Sequence, residues 1–359
     1  SVLFESHHLY YLPYFEPIVA ELKRRGGYEI AASIPLTIGA GERRLFYEAV
    51  QRWGVETITA TDEEARVDKL RERGFDIVIV GNVGKLEEIA ADNSMVVMVY
   101  HGIGLKQSYY TDMSPRVDLR AVESEARFSE LKAAGETNLV LCGLTKLDAL
   151  AGADKTSRDN LHQKWNLNPE LPTVLYAPTF YPTSFDDISK ELGFLSSEFN
   201  IILKLHNFSW FQERYVYQSE IAKEIELKND NIYLLDSSDY NIIPYYMISD
   251  ILISDISSTI FEFLPLDRPI IQAECLSLRM RHRIFKKRFM KKLDIHRMQK
   301  LDFVYKVEAP SELFRCMSFA CDYPEEMSEL RIEAHDYFLY KRDGNASDRL
   351  VNEIENRFK

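Results

Sequence analysis

The sequence predicts an α/β protein built from two parallel-sheet domains, and three observations support this class. The chain has 359 residues, which corresponds to two domains at roughly 150 residues each. Hydrophobic residues make up 46% of the chain and charged residues 28%, as in folded globular proteins. Short apolar runs alternate with segments of helical period, which is typical of parallel strands covered by helices on both faces.

The predicted strands form two series along the chain. The first series covers residues 2–4, 28–33, 55–59, 76–80, 95–100 and 138–141, and the second covers 173–176, 201–205, 232–235, 251–253 and 269–272. Residues 13–25 predict a helix, because proline suits the first helical turn and four apolar residues share one face: Phe15, Ile18, Val19 and Leu22.

The alternation breaks near residues 151–154, and the polar segment that follows separates the two series. We therefore predict an N-terminal Rossmann-like domain over 1–153, a C-terminal one over 154–345 and a terminal helix over 346–359. The two domains are expected to face each other across a cleft. Ligands of such sheets bind beyond the carboxyl ends of the strands, so functional residues are expected directly after strands.

The first candidate site follows the predicted strand 95–100. His101 precedes Gly102, and Lys106 closes the same segment. A histidine at a strand end can act as a general base toward a hydroxyl, since its reference pKa is about 6.5. An ordinary loop histidine is the alternative.

The second candidate site follows strand 251–253, where three hydroxyl residues precede an apolar run: Ser257, Ser258 and Thr259. The first N–H groups of a helix bind phosphate or diphosphate, which favours an anion site here. Helix capping by Asp255 and the serines is the alternative. Lys204 and His206 lie at the exit of strand 201–205 and are predicted at the same edge, although a solvated lysine and a loop histidine would show the same pattern.

Residue types and their spacing also exclude several classes of protein. A formal net charge of −12 argues against a protein whose whole surface coats nucleic acid. The four cysteines and the adjacent His7 and His8 lack metal-ligand spacing, so no metal or cofactor is expected. Apolar runs stay below the roughly 18 residues of a membrane span. Without such a span or a visible leader, the expected location is cytoplasmic.

A basic segment lies within this acidic chain. Residues 279–300 contain ten Lys or Arg and one Asp, a net charge of +9 that leaves −21 for the remainder. Such a stretch can contact an anionic membrane or a polyanionic acceptor, whereas a solvated helix face is the alternative. The residues predicted for this contact are Arg283, Lys286, Lys287, Lys291 and Lys292.

Taken together, these motifs resemble the CDP-glycerol glycerophosphotransferase family, the teichoic-acid primases and polymerases of GT-B fold. Six motifs occur in family order: His-Gly-Ile-Gly-Leu-Lys at 101–106, Gly-Leu-Thr-Lys-Leu-Asp-Ala-Leu at 143–150, Tyr-Ala-Pro-Thr at 176–179, Lys-Leu-His-Asn at 204–207, Asp-Ile-Ser-Ser-Thr-Ile-Phe-Glu-Phe at 255–263 with Asp-Arg-Pro-Ile at 267–270, and Asp-Gly-Asn-Ala-Ser-Asp-Arg at 343–349.

The resemblance implies transfer of a polyol phosphate, glycerol phosphate above all, from a CDP-linked donor to an acceptor hydroxyl, with release of CMP. His101 would deprotonate the acceptor, and His206 with Lys204 would stabilise phosphoryl charge. The implied diphosphate site comprises Ser257, Ser258, Thr259, Lys204 and Thr179, and the other implied cleft residues are Gly102, Lys106, Asp255, Glu262 and Arg268. The implied acceptor is lipid-linked or a glycopolymer, at the inner face of the plasma membrane.

The chain departs from the family pattern at three positions. Tyr181 replaces the motif arginine, Asn207 replaces a proline, and Ile256 replaces a tyrosine. A different donor or acceptor would be consistent with these changes. The alternatives are a GT-B nucleotide-sugar glycosyltransferase or UDP-sugar 2-epimerase, and a non-catalytic module that binds nucleotide or anionic lipid.

Overall fold

A computed structural model describes residues 1–100, 102–103, 114–152, 155–279 and 300–358. The described chain contains two parallel sheets, of seven and six strands, and separates into two compact units. The first unit contains the described residues of 1–100, 114–151 and 336–358, and the second unit contains the remainder. None of the described helices is long and apolar enough to cross a membrane.

The first unit is a parallel sheet of order β3-β2-β1-β4-β5-β6-β7. Its strands are β1 (Val2–Glu5), β2 (Ile30–Ser33), β3 (Glu56–Thr57), β4 (Ile77–Val80), β5 (Met95–Val99), β6 (Leu119–Val122) and β7 (Leu139–Leu141). Its connecting helices are α1 (Leu12–Arg25), α2 (Ala40–Trp53), α3 (Glu63–Arg73), α4 (Leu86–Ile89) and α5 (Glu125–Ala133). Every residue of the central strands β1 and β4 is buried, as expected for a sheet covered on both faces.

The second unit repeats this design with the order β10-β9-β8-β11-β12-β13. Its strands are β8 (Thr173–Ala177), β9 (Asn200–Leu203), β10 (Ile232–Leu234), β11 (Ile251–Ser254), β12 (Ile270–Ala273) and β13 (Tyr305–Val307). Its helices are α6 (Lys155–Lys164), α7 (Phe185–Ile188), α8 (Leu192–Leu195), α9 (Phe208–Phe211), α10 (Tyr217–Lys228), α11 (Ile243–Ile248), α12 (Thr259–Glu262), α13 (Leu313–Asp322) and α14 (Ser328–Phe338).

The terminal helix α15 (Ala346–Phe358) packs against α1 in the first unit. The Arg25 guanidinium lies 2.7 Å from the Asp348 carboxylate and 3.0 Å from that of Glu355. The chain returns to the first unit at residue 336. Residues 336–345, which we predicted in the C-terminal domain, therefore group with the first unit, because the segment leading into α15 packs there.

Two of the sequence motifs meet at the start of α15. The Asp148 carboxylate accepts hydrogen bonds from the N–H groups of Ala346 and Ser347, each at 2.8 Å. The Arg349 Nε donates to the Cys142 carbonyl at 2.8 Å. The motifs at 143–150 and 343–349 thus fix the terminal helix, since a carboxylate satisfies the unpaired N–H groups of its first turn.

The structure confirms all eleven predicted strands and the helix over 13–25, and it adds β6 and β13. β6 contains Arg120, which is 1% exposed and donates to the Tyr100 hydroxyl and the Ser114 carbonyl. A charged residue inside a strand interrupts the apolar run by which buried strands are recognised. β13 has only three residues and lies at the sheet edge, so its pattern is too short to predict.

Candidate functional site

Three neighbouring strands of the second sheet bring the predicted donor-binding residues to one edge. β9, β8 and β11 are adjacent and parallel, so their carboxyl ends point the same way. Lys204 and His206 follow β9, Thr179 follows β8, and Ser257 follows β11. We call this surface the carboxyl edge of the second sheet. It unites a cation, an imidazole and hydroxyl groups, which is the set of groups that binds phosphate oxygens.

The three hydroxyl residues after β11 form a connected turn. Thr259 donates to the Ser257 Oγ from its backbone N–H at 3.3 Å and from its hydroxyl at 3.1 Å. The Ser258 hydroxyl donates to the buried Glu262 carboxylate at 2.9 Å, and the Ser258 side chain does not cap the following helix. Because α12 has only four residues, phosphate binding here depends on the local N–H and O–H groups rather than on a long helix dipole.

Asp255 joins this turn to the loop that follows β8. Its side chain is fully buried, and one carboxylate oxygen accepts the Thr179 N–H at 2.9 Å. The other accepts both the N–H and the hydroxyl of Ser184, each at 3.0 Å. Burial, with a further contribution from the Asp255 charge, raises the pKa of Tyr176, whose hydroxyl lies 2.9 Å from the Ser184 Oγ. Asp255 is therefore a positioning residue that fixes two loops of the carboxyl edge.

His206 is held by its backbone surroundings and by aromatic rings. The Phe208 N–H donates to the His206 Nδ1 at 3.1 Å. The Phe180 and Phe208 rings lie 4.7 and 5.0 Å from the imidazole centroid. A nitrogen that accepts an N–H carries no proton, so the neutral imidazole has its proton on Nε2. His206 is therefore arranged to donate a hydrogen bond from Nε2.

Lys204 brings a cation to the same loop. Its side chain is 7% exposed, and Nζ donates to the Leu205 carbonyl at 3.1 Å. A buried ammonium group is costly unless anionic or polar groups surround it. Hydrogen bonding from Ser238, with a smaller contribution from the Lys204 charge, lowers the pKa of Asp236, so a carboxylate lies near this ammonium group.

Two predicted cleft residues make structural contacts, and one of them, Arg268, lies away from this edge. The Arg268 Nη1 donates to the carbonyls of Tyr246, Met247 and Ser249, at 3.3, 2.9 and 2.7 Å. These carbonyls end α11, and Arg268 precedes β12, so Arg268 lies at the opposite, amino edge of the sheet and not with the donor-binding group. Glu262 is fully buried and accepts the Tyr246 hydroxyl at 2.8 Å, which anchors α12.

Several predicted residues lie outside the described part of the chain. They are His101, Lys106, Arg283, Lys286, Lys287, Lys291 and Lys292. Gly102 is described: it is buried and adopts φ of +103°, a backbone conformation that favours glycine.

An aromatic group that the sequence pattern did not predict lies beside His206. Tyr215 packs 5.0 Å from Phe180, and Arg279 lies against both Tyr181 and Tyr215. The family motif marks Tyr181 only as the position of an absent arginine, and composition places Arg279 in the basic segment. Nothing in the sequence pattern links residues 181, 215 and 279.

Within the described ranges, no group of three or more His, Cys, Asp or Glu side chains is placed to hold a metal ion. Whether the protein needs a metal remains a prediction from the sequence alone.

The fold and this edge define a class of protein, and comparisons with known proteins identify it. The structure of the wall teichoic acid polymerase TagF covers 100% of this chain and 88% of that chain, with a TM-score of 0.68 and 17% identity. UDP-GlcNAc 2-epimerase from Neisseria meningitidis covers 99% of both chains, with a TM-score of 0.65 and 15% identity. The protein therefore has the GT-B fold, as the resemblance implied.

The sequence comparisons then identify the family. A stretch of 136 residues is 35% identical to the teichoic acid glycerol-phosphate primase of Bacillus spizizenii, and it covers 36% of this chain and 32% of the primase. The match thus spans about a third of the primase's length. Residues 89–356 match the family described as CDP-glycerol:poly(glycerophosphate) glycerophosphotransferase. This match covers well over half of the chain, which belongs to that family.

Proposed function

We propose that this protein transfers glycerol phosphate, or a related polyol phosphate, from a CDP-linked donor to an acceptor hydroxyl. The acceptor oxygen forms a bond to the β-phosphorus, the bond from that phosphorus to the bridging oxygen breaks, and CMP leaves. The observation that carries the proposal is the convergence of Lys204, His206 and Ser257 at one edge of the second sheet in a member of this family.

The donor diphosphate is assigned to the carboxyl edge of the second sheet. The hydroxyls of Ser257, Ser258 and Thr259 are half-buried, so they are close to solvent while their positions are fixed by hydrogen bonds. Thr179 contributes to the loop that Asp255 holds in place. Groups that are already fixed before the reaction stabilise developing charge without reorganisation, and phosphoryl transfer depends mainly on this electrostatic stabilisation and on positioning.

His206 acts in this proposal as a hydrogen-bond donor to a phosphoryl oxygen. The Phe208 N–H occupies Nδ1, so Nε2–H of the neutral ring is the donor. Lys204 adds a positive charge to the same loop. His101, two residues past the end of β5 in the sequence, takes the acceptor proton as general base, as its motif implies.

A donor panel tests the reaction. The full chain is incubated with CDP-glycerol, CDP-ribitol or UDP-GlcNAc and a lipid-linked acceptor, and the nucleotide and product are identified by mass spectrometry. We expect CMP release and a product heavier by one polyol phosphate. Release of UDP alone, or formation of an epimerised UDP-sugar, would instead establish the nucleotide-sugar alternative, which the fold shared with UDP-GlcNAc 2-epimerase supports.

Two variants distinguish catalysis from simple binding. His101→Ala and His206→Ala are expected to abolish most CMP release while CDP-glycerol still binds. If both variants turn over at the wild-type rate, the assigned roles are wrong. If the wild type binds CDP-glycerol without turnover under all acceptor conditions, the protein is a binding module.

The location proposed for the protein is the cytoplasmic face of the membrane that carries the acceptor. This part of the proposal rests on the +9 charge of residues 279–300, because each cation near an anionic surface contributes about 1 kcal/mol. Co-sedimentation with anionic liposomes should weaken in high salt and when Lys286, Lys287, Lys291 and Lys292 become Gln. Equal binding by both proteins would remove the membrane role.

A further inference from the structure

Arg279 follows β12, but its backbone is anchored to the loop after β8, which carries the motif residue Thr179. The chain leaves β12 and forms a bridge with the loop after β8, in which the Ser277 N–H donates to the Thr183 carbonyl at 2.7 Å. Two residues later, the Arg279 N–H donates to the Tyr181 hydroxyl at 3.2 Å. These two backbone bonds fix the start of the Arg279 side chain beside the loop of Thr179.

Two tyrosine rings hold the Arg279 guanidinium. Its central carbon lies 4.1 Å from the Tyr181 ring centroid and 5.2 Å from that of Tyr215. Its Nη2 donates to the Tyr215 hydroxyl at 2.5 Å. Stacking on aromatic faces and one fixed hydrogen bond orient a planar group that has five N–H donors, so most of those donors remain for another acceptor.

The charge of Arg279 is not neutralised by the protein described here. Across the described ranges, no Asp or Glu oxygen lies within 4.0 Å of its guanidinium, while other half-buried arginines of this unit, such as Arg158 with Asp250, are paired. Partial burial of a guanidinium without a carboxylate partner costs free energy, because the charge loses water, unless a bound anion pairs with it. Arg279 thus has the environment of an anion-binding side chain.

Two aromatic rings, those of Tyr215 and Phe180, connect Arg279 to His206. Tyr215 packs on Phe180 with centroids 5.0 Å apart, and Phe180 packs on the His206 imidazole at 4.7 Å. Arg279 and His206 therefore belong to one aromatic wall along the carboxyl edge of the second sheet.

We propose that Arg279 binds the diphosphate of the donor and that Tyr181 and Tyr215 position it. This inference rests on the proposed function, because it takes the donor to be a CDP-linked polyol. It assigns a role to Tyr181, which supports a cation supplied by residue 279 in place of an arginine at position 181. A guanidinium suits this role because its fork of N–H donors matches two phosphate oxygens at once.

The test measures donor affinity by calorimetry in the full chain. Arg279→Gln is expected to weaken CDP-glycerol binding about 10- to 100-fold, the usual effect of losing hydrogen bonds to a charged group. Arg279→Lys should recover part of this loss, since lysine keeps the charge but not the fork. The matched control is Arg214→Gln, which removes the same charge from an exposed position beside Tyr215 and should bind as the wild type does.

Two further measurements separate anion binding from a structural role. Cytidine, which has no phosphate, should bind the wild type and Arg279→Gln equally in ligand-observed NMR. Tyr181→Leu should weaken CDP-glycerol binding on its own and add little in the Arg279→Gln background, because the two changes remove one interaction.

The outcomes distinguish this inference from the proposed function. If the wild type fails to bind CDP-glycerol, the proposed function is wrong and the inference falls with it. If the wild type binds and Arg279→Gln binds equally well, or if Arg279→Gln loses cytidine affinity to the same extent, the inference alone is overturned.

Discussion

Replacing Asp255 by asparagine should destabilise the second unit far more than its small change in shape suggests. The carboxylate accepts hydrogen bonds from the Thr179 N–H and from the N–H and hydroxyl of Ser184. An asparagine side chain has one carbonyl oxygen and one NH2 group. In either orientation its NH2 faces a backbone N–H that has lost its acceptor.

The magnitude follows from the burial of these groups. Asp255 is 0% exposed, so water cannot replace the lost acceptor. One buried N–H without a partner costs about 1–3 kcal/mol. The remaining bonds also lose the roughly twofold strengthening that an ionised acceptor gives. A loss of about 3 kcal/mol in the free energy of unfolding corresponds to a fall in Tm of about 6–12 °C for a unit of this size.

Tryptophan fluorescence can report this unit separately. Of the three tryptophans, Trp165 and Trp210 lie in the second unit and Trp53 in the first. In a Trp53→Phe background, urea and thermal unfolding followed by fluorescence therefore measure the second unit alone.

The matched control lies at the other end of the same strand. Asp250 precedes β11, accepts the Thr173 N–H at 2.9 Å and pairs with Arg158, but its side chain is 37% exposed. Asp250→Asn should cost no more than about 1 kcal/mol, because water can replace the lost contacts. If Asp255→Asn is as stable as the wild type, or if the two variants are equally destabilised, the role assigned to Asp255 is refuted.

Three further predictions concern other groups. His206→Ala should lower kcat for CMP release about 10²–10³-fold, as expected for losing a preformed donor to the transition state, with KM changed only a few-fold. A rise in KM with unchanged kcat would contradict a transition-state role. Burial raises the pKa of Glu5 to about 7 against the opposing charge of Arg66, whose guanidinium lies 3.0 Å away, so the folded protein takes up this proton at higher pH than the unfolded chain does. The free energy of unfolding of the wild type should fall relative to that of Glu5→Gln by up to about 3 kcal/mol between about pH 4.5 and pH 7. If urea unfolding gives the same difference between the two proteins at both pH values, this prediction is wrong. Burial raises the pKa of the Cys142 thiol to about 12, so peptide mass spectrometry should find Cys142 the last cysteine alkylated in the native protein and as reactive as the others in urea.

The strands of both sheets were predictable because most of them are buried on both faces. A strand with this environment is a continuous apolar run, and β8 and β11 show it over nearly their whole length. β6 escaped prediction because tertiary contacts satisfy Arg120 within it, through Tyr100 and Ser114. Sequence periodicity carries no information about partners that lie elsewhere in the chain.

The rule that ligands bind after parallel strands selected Lys204, His206 and Ser257 correctly as neighbours along one edge. The same rule, applied strictly, would have set Arg268 aside, since Arg268 precedes β12. The family resemblance included it because motif residues are grouped by order in the chain and not by sheet edge. Asp148 shows the same limit, because its motif position suggests function while its contacts stabilise the start of α15.

The net charge of residues 279–300 gives no sign that Arg279 differs from the other basic residues of this segment. Arg279 is the first of ten basic residues in 279–300, and composition assigns them all to one surface. The structure separates Arg279 from that count, because the bridge between Ser277 and Thr183 carries it to the loop after β8. In our proposal, the missing arginine at position 181 and the charge at position 279 are one feature, because the Tyr181 ring supports a cation that follows another strand.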